Sequence, residues 1–131
     1  MSRRTFSKLF LVALTTVGAV FGGSVWAREA VSEKLPASLP ESALPQEARH
    51  TLQLIRSGGP FPYSKDGVVF GNRERLLPPR SRGYYREYTV PTPASRDRGA
   101  KRLVCGGLQP KTPEACFYSA DHYASFRSIA W

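Results

Sequence analysis

Four features of this 131-residue sequence have the residue types and spacing to do chemistry. Glu87 is a lone carboxylate inside an aromatic stretch, residues 84–90 (YYREYTV). If its side chain is sheltered it can act as a general base; if it faces solvent it is an ordinary strand residue. Arg96, Arg98, Lys101 and Arg102 cluster around Gly99, which makes either a grip for phosphate or a solvated basic loop. His122 lies between Asp121 and Tyr123. An imidazole titrates near neutrality and can move a proton, but a lone His is more often structural or merely exposed, as His50 reads to be. Residues 68–74 (VVFGNRE) end an apolar run in a Gly-Asn turn. Free N–H groups in such a turn can cradle an anion or a carbonyl oxygen, or the turn simply reverses the chain. On composition and spacing alone, the reading stops at a basic domain suited to a polyanion.

The elements that must position these residues are legible from periodicity. Residues 45–57 begin with Pro45, a residue suited to the first turn of a helix, and Glu47 lies where the helix dipole favours an anion. Ala48, Leu52 and Ile55 repeat at helical spacing, and Gly58 is the stop. Residues 57–83 are rich in Gly and Pro and read as loop, apart from a short Val68-Val69-Phe70 run. Strands are predicted at 84–90, 101–106, 115–121 and 124–130 from their Tyr, Phe, Val and Thr content between turn residues. A short fifth strand is expected near the end of residues 28–44. The fold class is α+β, with one N-terminal helix packed on an antiparallel sheet of about five strands.

Residues 1–27 have the layout of a secretory signal peptide. Arg3, Arg4 and Lys8 precede an uncharged stretch, residues 9–23, and Val25-Trp26-Ala27 fits a small-x-small cleavage rule. The apolar stretch is too short for a membrane span, which takes about 20 residues. The expected organisation is signal peptide 1–27, flexible arm 28–42 and one domain, 43–131. Removing three of the 19 basic residues and none of the ten acidic ones lowers the charge from +9 to a mature +6. That excess favours nucleic acid or another polyanion. Cys105 and Cys116 are the only cysteines. In an exported protein they are expected to pair across a hairpin, a closure worth roughly 3 kcal/mol. With no further Cys and two His, a zinc cluster has too few ligands.

Four segments together carry a resemblance: 58–74 (GGPFPYSKDGVVFGNRE), 83–93 (GYYREYTVPTP), 96–107 (RDRGAKRLVCGG) and 118–126 (YSADHYASF). In order and in register they closely resemble the microbial guanyl-preferring ribonucleases, from about Ala43 to Ile129. The resemblance implies a secreted, monomeric endoribonuclease that cuts single-stranded RNA 3′ of guanosine. It would work through a 2′,3′-cyclic phosphate, with no metal or cofactor. Carried over residue by residue, Glu87 is the general base and His122 the general acid. Arg98 and Arg102 bind phosphate, and Tyr123 lines the phosphate pocket. Glu74 reads guanine, helped by the backbone of Gly71, Asn72 and Arg73. Phe70 or Tyr63 could form the platform for the base, although core packing is the better reading for Phe70. A barstar-like proteinaceous inhibitor is an implied partner. Two departures from a close relative stand out: Gly71 replaces a polar residue, and that relative ties its two termini together by a disulfide, whereas Cys105 and Cys116 would staple a hairpin.

The competing readings are a non-catalytic RNA-binding or toxin-like module with the same fold, and a membrane-active secreted protein. The second would need a strongly cationic amphipathic helix, and residues 45–57 set only Arg49, Arg56 and His50 against Glu47.

Overall fold

The period-3.6 pattern and the αL stop form helix α1, Gln46–Ser57, in the computed structural model, which describes Gly18 and residues 36–131. The remainder of the predicted signal peptide and arm residues 28–35 lie outside the described residues. Pro45 is the N-cap, and Gly58, at φ 84°, closes the last turn by donating to the carbonyls of Ile55 and Leu54. Ala48, Thr51, Leu52 and Ile55 form the buried face.

The strands are β1 (Leu39–Pro40), β2 (Tyr85–Thr89), β3 (Arg102–Gly106), β4 (Ala115–Ser119) and β5 (Arg127–Ala130). They form one sheet in the order β1-β5-β4-β3-β2. Four strands run antiparallel in sequence order, as expected, and β1 adds to β5 in parallel. The α+β architecture of one helix on a five-stranded sheet is therefore observed, with the sheet mixed rather than wholly antiparallel.

Strand alternation divides the sheet into two faces. Tyr88, Leu103, Cys105 and Cys116 turn toward α1 and join Leu44, Ala48, Leu52 and Ile55 in the larger core. Tyr85, Val104 and Phe117 turn the other way and pack with Leu77 and Phe126. Register puts Glu87 opposite Val104 and Thr89 opposite Arg102, so Glu87, Thr89 and Arg102 share the second face. Cys105 and Cys116 are directly paired in register and bonded, with Cα atoms 4.1 Å apart. This is near the spacing of a non-hydrogen-bonded pair. The staple therefore lies on the helix side, behind the chemistry.

The end of the arm is built into the fold. Leu39 and Pro40 pair with Ile129 and Ala130, and residues Glu41–Ala43 form a 3₁₀ turn. Glu41 accepts two bonds of 3.0 Å from the Arg56 guanidinium, and that contact holds its carboxyl below the usual range. The sequence reading ended the arm at 42; the structured chain includes these residues because pairing with β5, a tertiary contact, overrides their loop-like composition. A mature chain beginning at Pro36 should thus melt like one beginning at Arg28. A chain beginning at Leu44 should lose about 1–2 kcal/mol, for the ladder bonds and an exposed ion pair. Chemical denaturation of the three chains checks this, and equal midpoints would refute it.

Candidate active site

Glu87 projects from the middle of β2 with its side chain 14% exposed. Its two oxygens have different partners. Tyr123 Oη donates to Oε2 at 2.7 Å, and Arg98 Nη2 approaches Oε1 at 3.5 Å. The remaining bonds of the arginines point them at the same place. Arg98 Nε donates to Thr89 Oγ1 at 3.0 Å. Arg102 is 2% exposed; its Nε donates to Tyr123 Oη at 3.2 Å and its Nη1 to the carbonyls of Gly99 and Lys101. Tyr123 thus accepts from Arg102 and donates to Glu87. Burial, followed by the bond to Glu87, raises the Tyr123 hydroxyl above its usual pKa, which keeps it protonated as the donor. Arg98 Nη2 is buried and has no hydrogen-bond partner. A buried donor left without a hydrogen bond costs about 1–3 kcal/mol, and here the Glu87 carboxylate 3.5 Å away offsets part of that cost.

Gly99 makes the basic turn possible. It sits at φ 63°, and a Cβ there would press on the Thr92 side chain. Asp97 braces the turn by accepting from Ser95 Oγ and Gly99 N–H. Arg96 is exposed and Lys101 half-buried, and neither joins the Glu87 cluster.

His122 is presented on a turn in which it and Tyr123 both have positive φ, 56° and 70°. Left-handed backbone at a non-glycine residue costs roughly 1 kcal/mol. The turn is held in that state from several directions. His122 N–H donates to the Ala100 carbonyl at 2.9 Å, and Tyr123 N–H to Ser119 Oγ at 3.0 Å. Asp121 accepts from Ser119 Oγ, Ser125 N–H and Ser125 Oγ.

Residues 67–70 run along the outer edge of β2. Gly67 N–H donates to the Glu87 carbonyl, Glu87 N–H to that of Val68, and Phe70 N–H to that of Tyr85. The 71–76 loop is thereby fixed to the strand that bears Glu87. Asn72, at φ 49°, spends its side chain inside the loop: Nδ2 donates to the Leu77 carbonyl at 3.0 Å and Oδ1 accepts from Leu77 N–H at 3.1 Å. The N–H groups of Asn72, Arg73 and Glu74 have no acceptor among the described residues. Glu74, Arg73 and Gly71 are exposed. A Cβ on Gly71 would meet only the Arg73 side chain, at 3.7 Å, so no steric demand requires glycine there.

These pieces surround one open cleft of about 680 Å³, lined by Phe70, Gly71, Asn72, Arg73, Glu74, Glu87, His122 and Tyr123 among others. Arg98 and Arg102 act through Glu87 and Tyr123 beneath it. Phe70 stacks on Tyr123 with ring centroids 5.2 Å apart and meets Phe126 edge-on. It therefore serves the core and the cleft at once, while Tyr63 is outside the lining. Sequence reasoning missed Thr89, which aims Arg98, and the braces made by Asn72 and Asp121. The only available signal for Asp121 is the pair of serines two before and four after it.

The family model described as ribonuclease matches residues 27–130. The chain belongs to the ribonuclease family. Its sequence is 59% identical over 88 residues to guanyl-specific ribonuclease Sa3 of Kitasatospora aureofaciens, covering 67% of this chain and 60% of that protein. It is 56% identical over 88 residues to guanyl-specific ribonuclease Sa of the same organism, covering 67% of this chain and 88% of the relative. Among solved structures of the family, ribonuclease Sa2 with mononucleotides superposes with a TM-score of 0.67 at 47% identity, covering 72% of this chain and 94% of that one. Ribonuclease Sa2 with guanosine-2′-cyclophosphate gives 0.65 at 46%, covering 72% and 97%.

The Asp121 brace predicts a pH signature. Ser125, and then the other donors, hold its carboxyl below the usual Asp value. Its stabilisation is therefore fully present above the unfolded pKa of about 3.9 and is lost as pH falls through the lower folded value. Asp121→Asn imitates the protonated side chain. Its stability deficit should be present at neutral pH and close below about pH 4. Urea midpoints across pH check this, and a deficit independent of pH would contradict it.

Proposed function

We propose that the mature domain is a secreted guanyl-specific endoribonuclease that cleaves single-stranded RNA 3′ of guanosine, first to a 2′,3′-cyclic phosphate and then to a 3′-phosphate. The observation that carries this reading is the single cleft. It is lined by a sheltered carboxylate set against arginine, an imidazole, and a loop with free N–H groups and a carboxylate at its end. The names of the relatives and the nucleotides bound in their structures fit the same reading.

In the first step Glu87 accepts the proton of the 2′-hydroxyl as its oxygen attacks the adjacent phosphorus. His122 donates a proton to the departing 5′-oxygen. In the second step the roles reverse: His122 takes a proton from water and Glu87 returns one to the 2′-oxygen. The positive charge of Arg98 and Arg102 behind Glu87 and Tyr123 offsets charge building on the phosphoryl oxygens. The shared Tyr123 hydroxyl keeps base and phosphate grip in one geometry. Since one group must be ionised and one protonated, activity follows a bell-shaped pH dependence. DNA lacks the attacking hydroxyl and is bound but not cut.

Guanine offers N1–H and N2–H₂ as donors and O6 as an acceptor. The Glu74 carboxylate accepts from the two donors, and loop N–H groups of residues 71–74 donate to O6. Adenine reverses the pattern at position 6 and leaves these groups unpaired. With its side chain committed to Leu77, Asn72 contributes its backbone and holds the loop's shape.

Processing after Ala27 is part of the proposal, supported by the leader pattern of 1–27 and by a family match that starts at residue 27. So are a monomeric state, release to the periplasm or medium, and inhibition by a barstar-like protein that blocks the basic cleft.

Glu74→Ala separates base reading from proton transfer. It should lower kcat/KM for GpC by a few kcal/mol of transition-state binding, roughly 10²-fold or more, and for ApC far less. An equal loss on both dinucleotides would mean that Glu74 does not read the base.

A further inference from the structure

A second cleft, of about 410 Å³, lies on the far side of the guanine loop. The two clefts share residues 69–73 as a common wall. The second is lined by Arg73, Arg80 and Arg82, with Tyr85 behind them, and no carboxylate lines it. None of these three arginines has an ion-pair partner among the described residues. The segment that bears two of them is held in place. Tyr85 Oη donates to the Pro78 carbonyl at 2.6 Å, and the Arg80 guanidinium lies over the Tyr84 ring, 4.9 Å from its centroid. Tyr84 is fixed in turn by its hydroxyl's bond to Glu114, at 2.9 Å. These three exposed guanidinium groups, with no carboxylate among them, can meet phosphate oxygens together beside that loop.

We propose that this cleft is a subsite for the phosphodiester backbone of the RNA strand 5′ of the cleaved guanosine. The inference rests on the guanosine-cleaving reading above. On that reading the scissile 3′-phosphate sits at Glu87 and Arg98, and the leaving 5′-oxygen faces His122, so the 3′ strand departs past His122. The Arg80–Arg82 cleft lies across the base-reading loop from that exit, on the side left to the upstream strand. The enzyme then holds a polymer at two places and favours guanosines that have nucleotides before them. Each phosphate gripped on a single strand adds about 0.7 to the slope of log affinity against log salt.

The test compares wild type with Arg80→Ala/Arg82→Ala, leaving Arg73 in place because it belongs to the guanine loop. The substrates are GpC, UpUpGpC and GpCpUpU, measured over a range of salt. Wild type should cleave UpUpGpC with a higher kcat/KM than GpC. The double variant should keep GpC activity within about twofold and lose about five- to tenfold on UpUpGpC, mostly through KM, with a salt slope shallower by about one. GpCpUpU should behave like GpC. The inference is overturned by equal losses on GpC and UpUpGpC, or by a loss confined to GpCpUpU. It is also overturned if no substrate is affected, which would leave the patch to an acidic protein partner. Failure of the underlying functional reading looks different: wild type would not cleave GpC, or would cleave ApC as fast.

Discussion

Glu87, Arg98 and Arg102 bring one negative and two positive charges together on one face of a sheet, and the Tyr123 hydroxyl joins the carboxylate to Arg102. Charges sheltered from water are tolerated only when each is paired or hydrogen-bonded. Here the pairing leaves a net positive charge and one unpartnered guanidinium nitrogen facing the carboxylate. Much of the rest can be read as support for that cluster. β3 is buried along its whole length and carries Arg102. The Thr89 hydroxyl aims Arg98, while its backbone N–H and carbonyl are tied to Asp66 and Thr51. The helix and the Cys105–Cys116 staple press on the opposite face, so the larger core lies across the sheet from the cluster.

The division of labour between strand and loop has the same origin. Chemistry demands fixed separations, and Glu87 and Arg102 therefore lie on paired strands whose register is set by buried neighbours. Free backbone N–H groups are what a strand within a sheet cannot offer. A loop supplies them, but it needs an internal brace, and the Asn72 side chain provides one by acting as donor and acceptor toward Leu77. His122 needs both exposure and a fixed direction. A left-handed turn over-determined by Asp121 and Ser119 satisfies both demands.

The sequence carried these features unequally. Helix α1 was legible because Ala48, Leu52 and Ile55 repeat with the helix period, and all three are buried. The strands were legible from composition, with ends that overran by one to three residues because a Tyr or Ser leaving a strand looks like one within it. β1 was poorly marked, since a two-residue parallel strand ending in Pro40 depends on β5 rather than on local preference. The site residues stood out by resemblance. By pattern alone Glu87 could be sheltered or solvent-facing, because alternation says which residues share a face but not that Tyr123 and Arg98 meet the carboxylate there. Thr89, Asp121 and the brace made by the Asn72 side chain were invisible for a related reason: their work is hydrogen bonding whose partners are specified only by the fold. The second arginine cleft emerged only once Arg80 and Arg82 were placed beside the 71–76 loop.

The central claim is that Glu87 starts cleavage by taking the 2′-hydroxyl proton, so that a cyclic phosphate must form before any 3′-phosphate. Time-resolved product analysis of GpC cleavage tests it directly, in wild type and in Glu87→Gln, which keeps the shape and removes the base. The account predicts that wild type releases cytidine together with guanosine 2′,3′-cyclic phosphate, with 3′-GMP appearing only after a lag. It predicts that Glu87→Gln slows that first release by roughly 10²–10⁴-fold while its thermal melt shows a folded protein. Formation of 3′-GMP without a cyclic intermediate, or near-wild-type release of cytidine by folded Glu87→Gln, would contradict it.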